Sequence, residues 1–122
     1  MGRSIRSAKA AGASFERLVA DFLRDRLGEP TIDRLVKTGN KDRGDVGNVR
    51  DSQGNLIAVE CKNVNHLDLP LWNRQARVEA ENYGALVGVA IHKRHGKARP
   101  GDQWVTMDLE SFATLLAGER PA

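Results

Sequence analysis

Leu56-Ile57-Ala58-Val59-Glu60-Cys61-Lys62-Asn63 is the stretch on which the reading of this chain turns. Extended backbone sends successive side chains to opposite faces. Ile57, Val59 and Cys61 therefore share an apolar face suited to a core. Leu56, Ala58, Glu60 and Lys62 share the other face, which ends in a carboxylate and an ammonium. Charged side chains are almost never fully buried without a partner, so this face belongs in solvent or in a polar cleft.

Before it stands the polar turn Asp51-Ser52-Gln53-Gly54-Asn55, and before that a second expected strand, 45–50. Two strands joined by a glycine-containing turn read as a hairpin, which brings Asp45 toward Glu60 on one face. The loop Thr38-Gly39-Asn40-Lys41-Asp42-Arg43-Gly44 separates this hairpin from a short strand expected at 32–37. Phe15, Leu18, Val19, Phe22 and Leu23 recur at helical spacing after Ser14, a suitable cap. That helix should stop before Gly28 and Pro30. Residues 1–13 carry Arg3, Arg6 and Lys9 among Gly, Ser and Ala without an apolar face, and read as a flexible basic arm.

Downstream, Pro70 opens a helix expected over 70–82, with sparse apolar residues and Gly84 as its stop. The run Ala85-Leu86-Val87-Gly88-Val89-Ala90-Ile91-His92 reads as a strand buried on both faces. A basic loop, 92–99, a strand at 103–107 and a closing helix at 108–117 complete the chain. The order α-β-β-β-α-β-β-α predicts an α/β domain over 14–122, a mixed central sheet flanked by helices.

Composition narrows the classes. No apolar run approaches the roughly 18 residues of a membrane span, and the first fourteen residues lack the apolar segment of a signal peptide. A single cysteine, Cys61, rules out a disulfide framework and a cysteine-rich zinc site. A reducing cytoplasm is the expected compartment. The net charge of +3 points weakly to a polyanionic partner.

Asp45 and Glu60 on one face would repel, and a divalent cation removes that repulsion. Mg²⁺ takes carboxylate oxygens and keeps waters on its substrate side. Such an ion polarises a phosphodiester and lowers the pKa of an attacking water, and Lys62 adds positive charge where the phosphate oxygens gain negative charge. Asp21 and Asp42 compete for the acidic positions. The plainer reading is a cross-strand ion pair in solvent, worth about 0.2–1 kcal/mol.

Gly44-Asp45-Val46 followed by Val59-Glu60-Cys61-Lys62 resembles the Asp…Glu-x-Lys signature of the PD-(D/E)xK nuclease superfamily. Glu16 on the first helix stands where archaeal-type and phage Holliday junction resolvases place a further acid. The resemblance spans roughly 14–117 and implies a restriction-endonuclease-like α-β-β-β-α-β core. It departs from the pattern where Gly44, rather than proline, precedes Asp45. It also departs at Gln75 and Tyr83, which lie too far apart for the RecB-like subgroup.

The resemblance implies a DNA endonuclease using Mg²⁺ or Mn²⁺ and leaving 5′-phosphate and 3′-hydroxyl ends. Asp45, Glu60 and the Cys61 carbonyl would ligate the metal, Lys62 would act on the nucleophilic water, and Glu16 would hold a second metal or a water. As a side chain, Cys61 reads as core, and so does Trp72. Contacts to DNA are expected from Arg3, Arg6, Lys9, Lys41, Arg43, Gln75, Lys93, Arg94, Lys97 and Arg99. His92 and His95 make a poor zinc pair, and their loop reads either as solvated or as a phosphate contact. A four-way-junction resolvase would be a homodimer with two symmetric sites. Alternatives are a restriction-like or phage-type nuclease on duplex ends or branched DNA, a non-catalytic DNA-binding module, and a protein-interaction domain.

Overall fold

The structure, a computed structural model, describes residues 3–122. Helix α1 (Ile5–Leu27) is capped by Ser4, whose side chain accepts from the Ser7 amide, and ends at Gly28 in the left-handed region. The expected arm is thus helical from Ile5, and Ser14 lies inside the helix rather than at its cap. The extra turns need no apolar face because they remain largely exposed, and their alanines favour helix without tertiary help. Met1 and Gly2, the start of that arm, lie outside the described residues.

Strands β1 (Asp33–Arg34), β2 (Val46–Gly47) and β3 (Ile57–Lys62) follow, then α2 (Leu69–Tyr83) and β4 (Val87–His92). A short 3₁₀ turn, Pro100–Asp102, precedes β5 (Trp104–Thr106) and α3 (Leu109–Ala117). The five strands form one sheet in the order β1-β2-β3-β4-β5. Only the β3–β4 pair is parallel, joined through α2; the other neighbours run antiparallel. The expected strands at 32–37 and 45–50 shorten to two residues each, although an isolated bridge joins Arg50 to Leu56 beside the turn. Asp51 holds that turn by accepting from the Gln53 and Asn55 amides.

The two sheet faces are covered differently. Ile57, Val59, Val87, Val89 and Ile91 pack with Phe15, Val19 and Ala20 of α1, and Leu115 of α3 joins them. The opposite face, bearing Ala58, Glu60, Gly88 and Ala90, lies under α2. Its residues are small because the helix sits close. A β-carbon on Gly88 would fall 2.0 Å from the Ala76 carbonyl oxygen. Glu60 is therefore roofed by a helix, at 6% exposed, rather than facing solvent. Asp108 ties α2 to α3: it caps α3 at Ser111 and accepts from Asn73 and Arg77 of α2.

Gly88→Ala should destabilise the protein by about 2–3 kcal/mol or more, since overpacking typically costs 1–3 kcal/mol and here the clash is with backbone. Urea unfolding measures this; a loss below about 1 kcal/mol would show that α2 has room to move.

Candidate functional site

The site starts from strand register. Val46 pairs with Val59 across the antiparallel β2–β3 ladder, so Asp45 stands opposite Glu60 on the same face. The chain reaches Asp45 through Gly44, whose φ of 100° is closed to proline and strained for any side chain. A β-carbon there would also lie 2.8 Å from the Val59 carbonyl oxygen. The glycine thus lets the Asp45 amide reach that carbonyl at 2.7 Å. Asp45 Oδ2 then accepts from the Cys61 amide at 2.8 Å. A strand residue's N–H and C=O leave toward the same neighbour, so the Cys61 carbonyl points to the same edge as the Asp45 carboxylate.

Asp45 and Glu60 are 5% and 6% exposed. Burial, hydrogen bonding to Glu60 and its charge push Asp45 up to about 7. Burial also raises Glu60, reinforced by Glu79. Glu79 comes from α2, is 2% exposed and is itself pushed up to about 7, chiefly by burial. Its Oε1 finds no hydrogen-bond partner among the described residues, nor does the buried Oε1 of Gln75 one turn earlier. Ligand oxygens of Asp42, Glu60 and Glu79 all lie within 4.8 Å of one another, at a distance suited to sharing one cation. An open cleft bordered by Asp42, Glu60, Arg74, Gln75, Val78 and Glu79 gives access.

Two lysines offset this charge. Lys62 Nζ is 3.4 Å from Glu60 Oε2, and Lys37 Nζ is 3.8 Å from Asp45 Oδ1. Burial alone would lower the Lys37 pKa, but Asp45, Asp42, Glu60 and Glu16 raise it on balance.

Asp45, Glu60, Lys62 and the Cys61 backbone, each expected at the site, come together. The Cys61 thiol is pushed up by burial, as suits a core residue. Glu16 lies nearby but is engaged by Arg34, whose Nε and Nη2 donate to its Oε1 at 3.1 and 3.0 Å. Asp21 is paired with Arg17 and Arg24 on α1. Asp42, a competitor from sequence, does join the cluster. Glu79 and Lys37 were missed. A signal for Glu79 did exist: Trp72, Ala76, Glu79 and Ala80 recur at helical spacing and form the buried stripe of α2, and an acid on such a stripe needs a reason.

The expected DNA contacts are scattered. Arg3 donates to the carbonyl of Asn63, just past Lys62, while Arg6 and Lys9 are exposed on α1. Lys41 is exposed in the loop before Asp45, and the Arg43 guanidinium lies 5.8 Å from the Tyr83 ring centre. The basic 92–99 segment is braced rather than loose. Gln103 accepts from the Arg94 amide and donates to the Lys97 and Arg99 carbonyls. Arg94 stacks on Trp104, and the Lys93 ammonium is held by the Arg94 and Lys97 carbonyls. His92 belongs to β4 and is buried, not part of a solvated loop.

The carboxylates make a signed prediction. Asp45 and Glu79 titrate near 7 in the fold and near 4 when unfolded. The folded state therefore holds more protons between those values, and this cluster's contribution to stability falls as pH rises through that window. Without divalent cations, Glu79→Gln should melt at a higher temperature than the wild type at pH 8, with the difference shrinking toward pH 5. Paired thermal melts in chelator check this; a difference independent of pH would mean the carboxylates do not repel.

No family model, curated protein or solved structure matches this chain.

Proposed function

We propose that this chain is a metal-dependent DNA endonuclease. The observation that carries the reading is the crowding of Asp42, Asp45, Glu60 and Glu79 beside Lys62 at one end of a sheet, with Glu79 Oε1 left unpartnered among the described residues. A purely structural cluster would be costly, because buried like charges repel and the carboxylates must be protonated or paired to stay there. All the donors are hard carboxylate or carbonyl oxygens, the set that Mg²⁺ or Mn²⁺ takes. Asp45, Glu60 and the Cys61 carbonyl would hold the ion, with Asp42 and Glu79 within reach of Glu60. When bound, the ion supplies Lewis acidity toward a phosphodiester and a more acidic water.

The chain's own groups have distinct parts. The Cys61 amide orients Asp45. Lys62 stands past Glu60 on the same face, where its ammonium orients the nucleophilic water and stabilises charge on the reacting phosphate. Lys37 faces Asp45, as Lys62 faces Glu60. Arg3, beside the Asn63 carbonyl, and Lys41, in the loop before Asp45, supply phosphate contacts, with Arg6, Lys9, Lys97 and Arg99 gripping the duplex elsewhere; such contacts position it without reading its sequence. Selection by DNA structure, by a homodimer with two symmetric sites on a four-way junction, is the form proposed. Among the described residues no helix is long and apolar enough to cross a membrane.

Plasmid nicking and four-way-junction cleavage with Mg²⁺ or chelator test the reading. Lys62→Ala should cut at least about 100-fold more slowly while DNA binding persists, and Asp45→Asn should lose the metal-dependent reaction. A Lys62→Ala protein that cuts at the wild-type rate would sink the mechanism. Replacing Lys97 and Arg99 by Ala should flatten the salt dependence of DNA affinity by about 0.9 in slope for each phosphate no longer gripped. Paired incisions by a dimer support the junction reading, and equal nicking of linear duplex by a monomer rejects it.

A further inference from the structure

Beyond Lys62 the polar row continues. In the parallel β3–β4 register Lys62 stands beside His92, so both side chains lie on the α2 face. His92 is 5% exposed. Its Nε2 is 2.7 Å from Thr106 Oγ1, and its ring packs against Trp72 with centroids 5.2 Å apart. Its Nδ1 is buried and unpartnered among the described residues. A buried ring nitrogen without a partner loses the full desolvation of that atom, so the structure holds it for something.

The His92 side chain is also among the residues that line a small cavity at the carboxyl ends of β3 and β4, with Lys62, Asn65, His66, Trp72 and His95. Its volume of about 50 Å³ exceeds the 10–15 Å³ needed by a single water-sized group. The lining offers cationic or N–H donors, and no acidic side chain borders it. Glu60 sits on the far side of Lys62. The His95 ring is hydrogen-bonded at 3.0 Å to the Val64 carbonyl and pins the covering loop.

We propose that this cavity is an oxyanion subsite for a phosphate group, with His92 Nδ1–H as its buried donor and Lys62 as its charge. For Nδ1 to carry the proton, the Thr106 hydroxyl, 2.7 Å from Nε2, must be the donor of that hydrogen bond. The phosphate it takes is the diester neighbouring the one at the carboxylates, because Lys62 lines the cavity and also pairs with Glu60. The source of the phosphate rests on the nuclease reading; the oxyanion chemistry does not.

Titrating the intact protein with inorganic phosphate, with nitrogen-15 histidine NMR as the readout, tests this. Saturable movement of the His92 ring nitrogens is expected, and His92→Phe, which keeps a ring against Trp72, should bind phosphate about tenfold or more weakly. His92→Asn should recover part of that loss through its amide N–H. If His92 stays silent while only His66 and His95 respond, the site holds an adventitious ion only and the proposal fails. The wild-type titration decides this even if the variants fold poorly. For the source, a single neutral methylphosphonate linkage beside the cut should raise KM in the wild type and leave His92→Phe unaffected. An equal KM change in both proteins rejects the neighbouring diester as the occupant. If no DNA is cut at all, the nuclease reading falls while the phosphate titration still decides the pocket.

Discussion

The close seating of α2 on the parallel pair β3–β4 is the constraint on which the rest depends. Gly88 leaves no room for a β-carbon beneath the Ala76 carbonyl, and Ala58 and Ala90 keep the neighbouring positions low. A helix held that near the sheet brings Glu79 down onto Glu60 and shuts water away from both. The hairpin adds Asp45 from the other side through the β2–β3 register. Three elements that could each have carried a solvated acid instead direct their acids to one place.

That arrangement opposes folding stability. Buried carboxyl groups that raise one another's pKa are neutralised or strained at neutral pH, and Lys62 and Lys37 offset the excess only partly. Carboxyl groups perturbed in this way cluster at functional sites. The unpartnered oxygens of Glu79 and Gln75 fit the same account. The proposed metal and phosphate roles each use a group that folding alone leaves unsatisfied.

The sheet's centre was legible because alternation in 56–63 and continuous apolarity in 85–92 are strong signals, and β3 and β4 lie where they place them. Asp45, Glu60 and Lys62 followed, since a hairpin turn and a two-residue period determine which side chains face each other. The weaker strands were overdrawn at 32–37 and 45–50, which keep only two paired residues each; Asn48, at φ 64°, ends extended backbone just after Gly47. Glu79 escaped because α2 has few large apolar residues, so its buried face is written in alanines that resemble an exposed helix. The helical turns 5–13 escaped because they contribute little to the core. His92 was read both as the end of the buried run 85–92 and as the start of the basic loop; the structure bears out the first, with β5 and Trp72 enclosing it.

The central claim is that these carboxylates are held for a divalent cation. Calorimetric titration of the metal-free protein with Mn²⁺ near pH 6.5, repeated in two buffers of different ionisation enthalpy, addresses it most directly. Carboxyl groups that titrate near 7 are partly protonated there, so binding should release protons and the measured heat should change with buffer. Glu60→Gln should bind Mn²⁺ at least about tenfold more weakly, about 1.4 kcal/mol. Equal affinity in wild type and Glu60→Gln, with no proton release, would contradict the account.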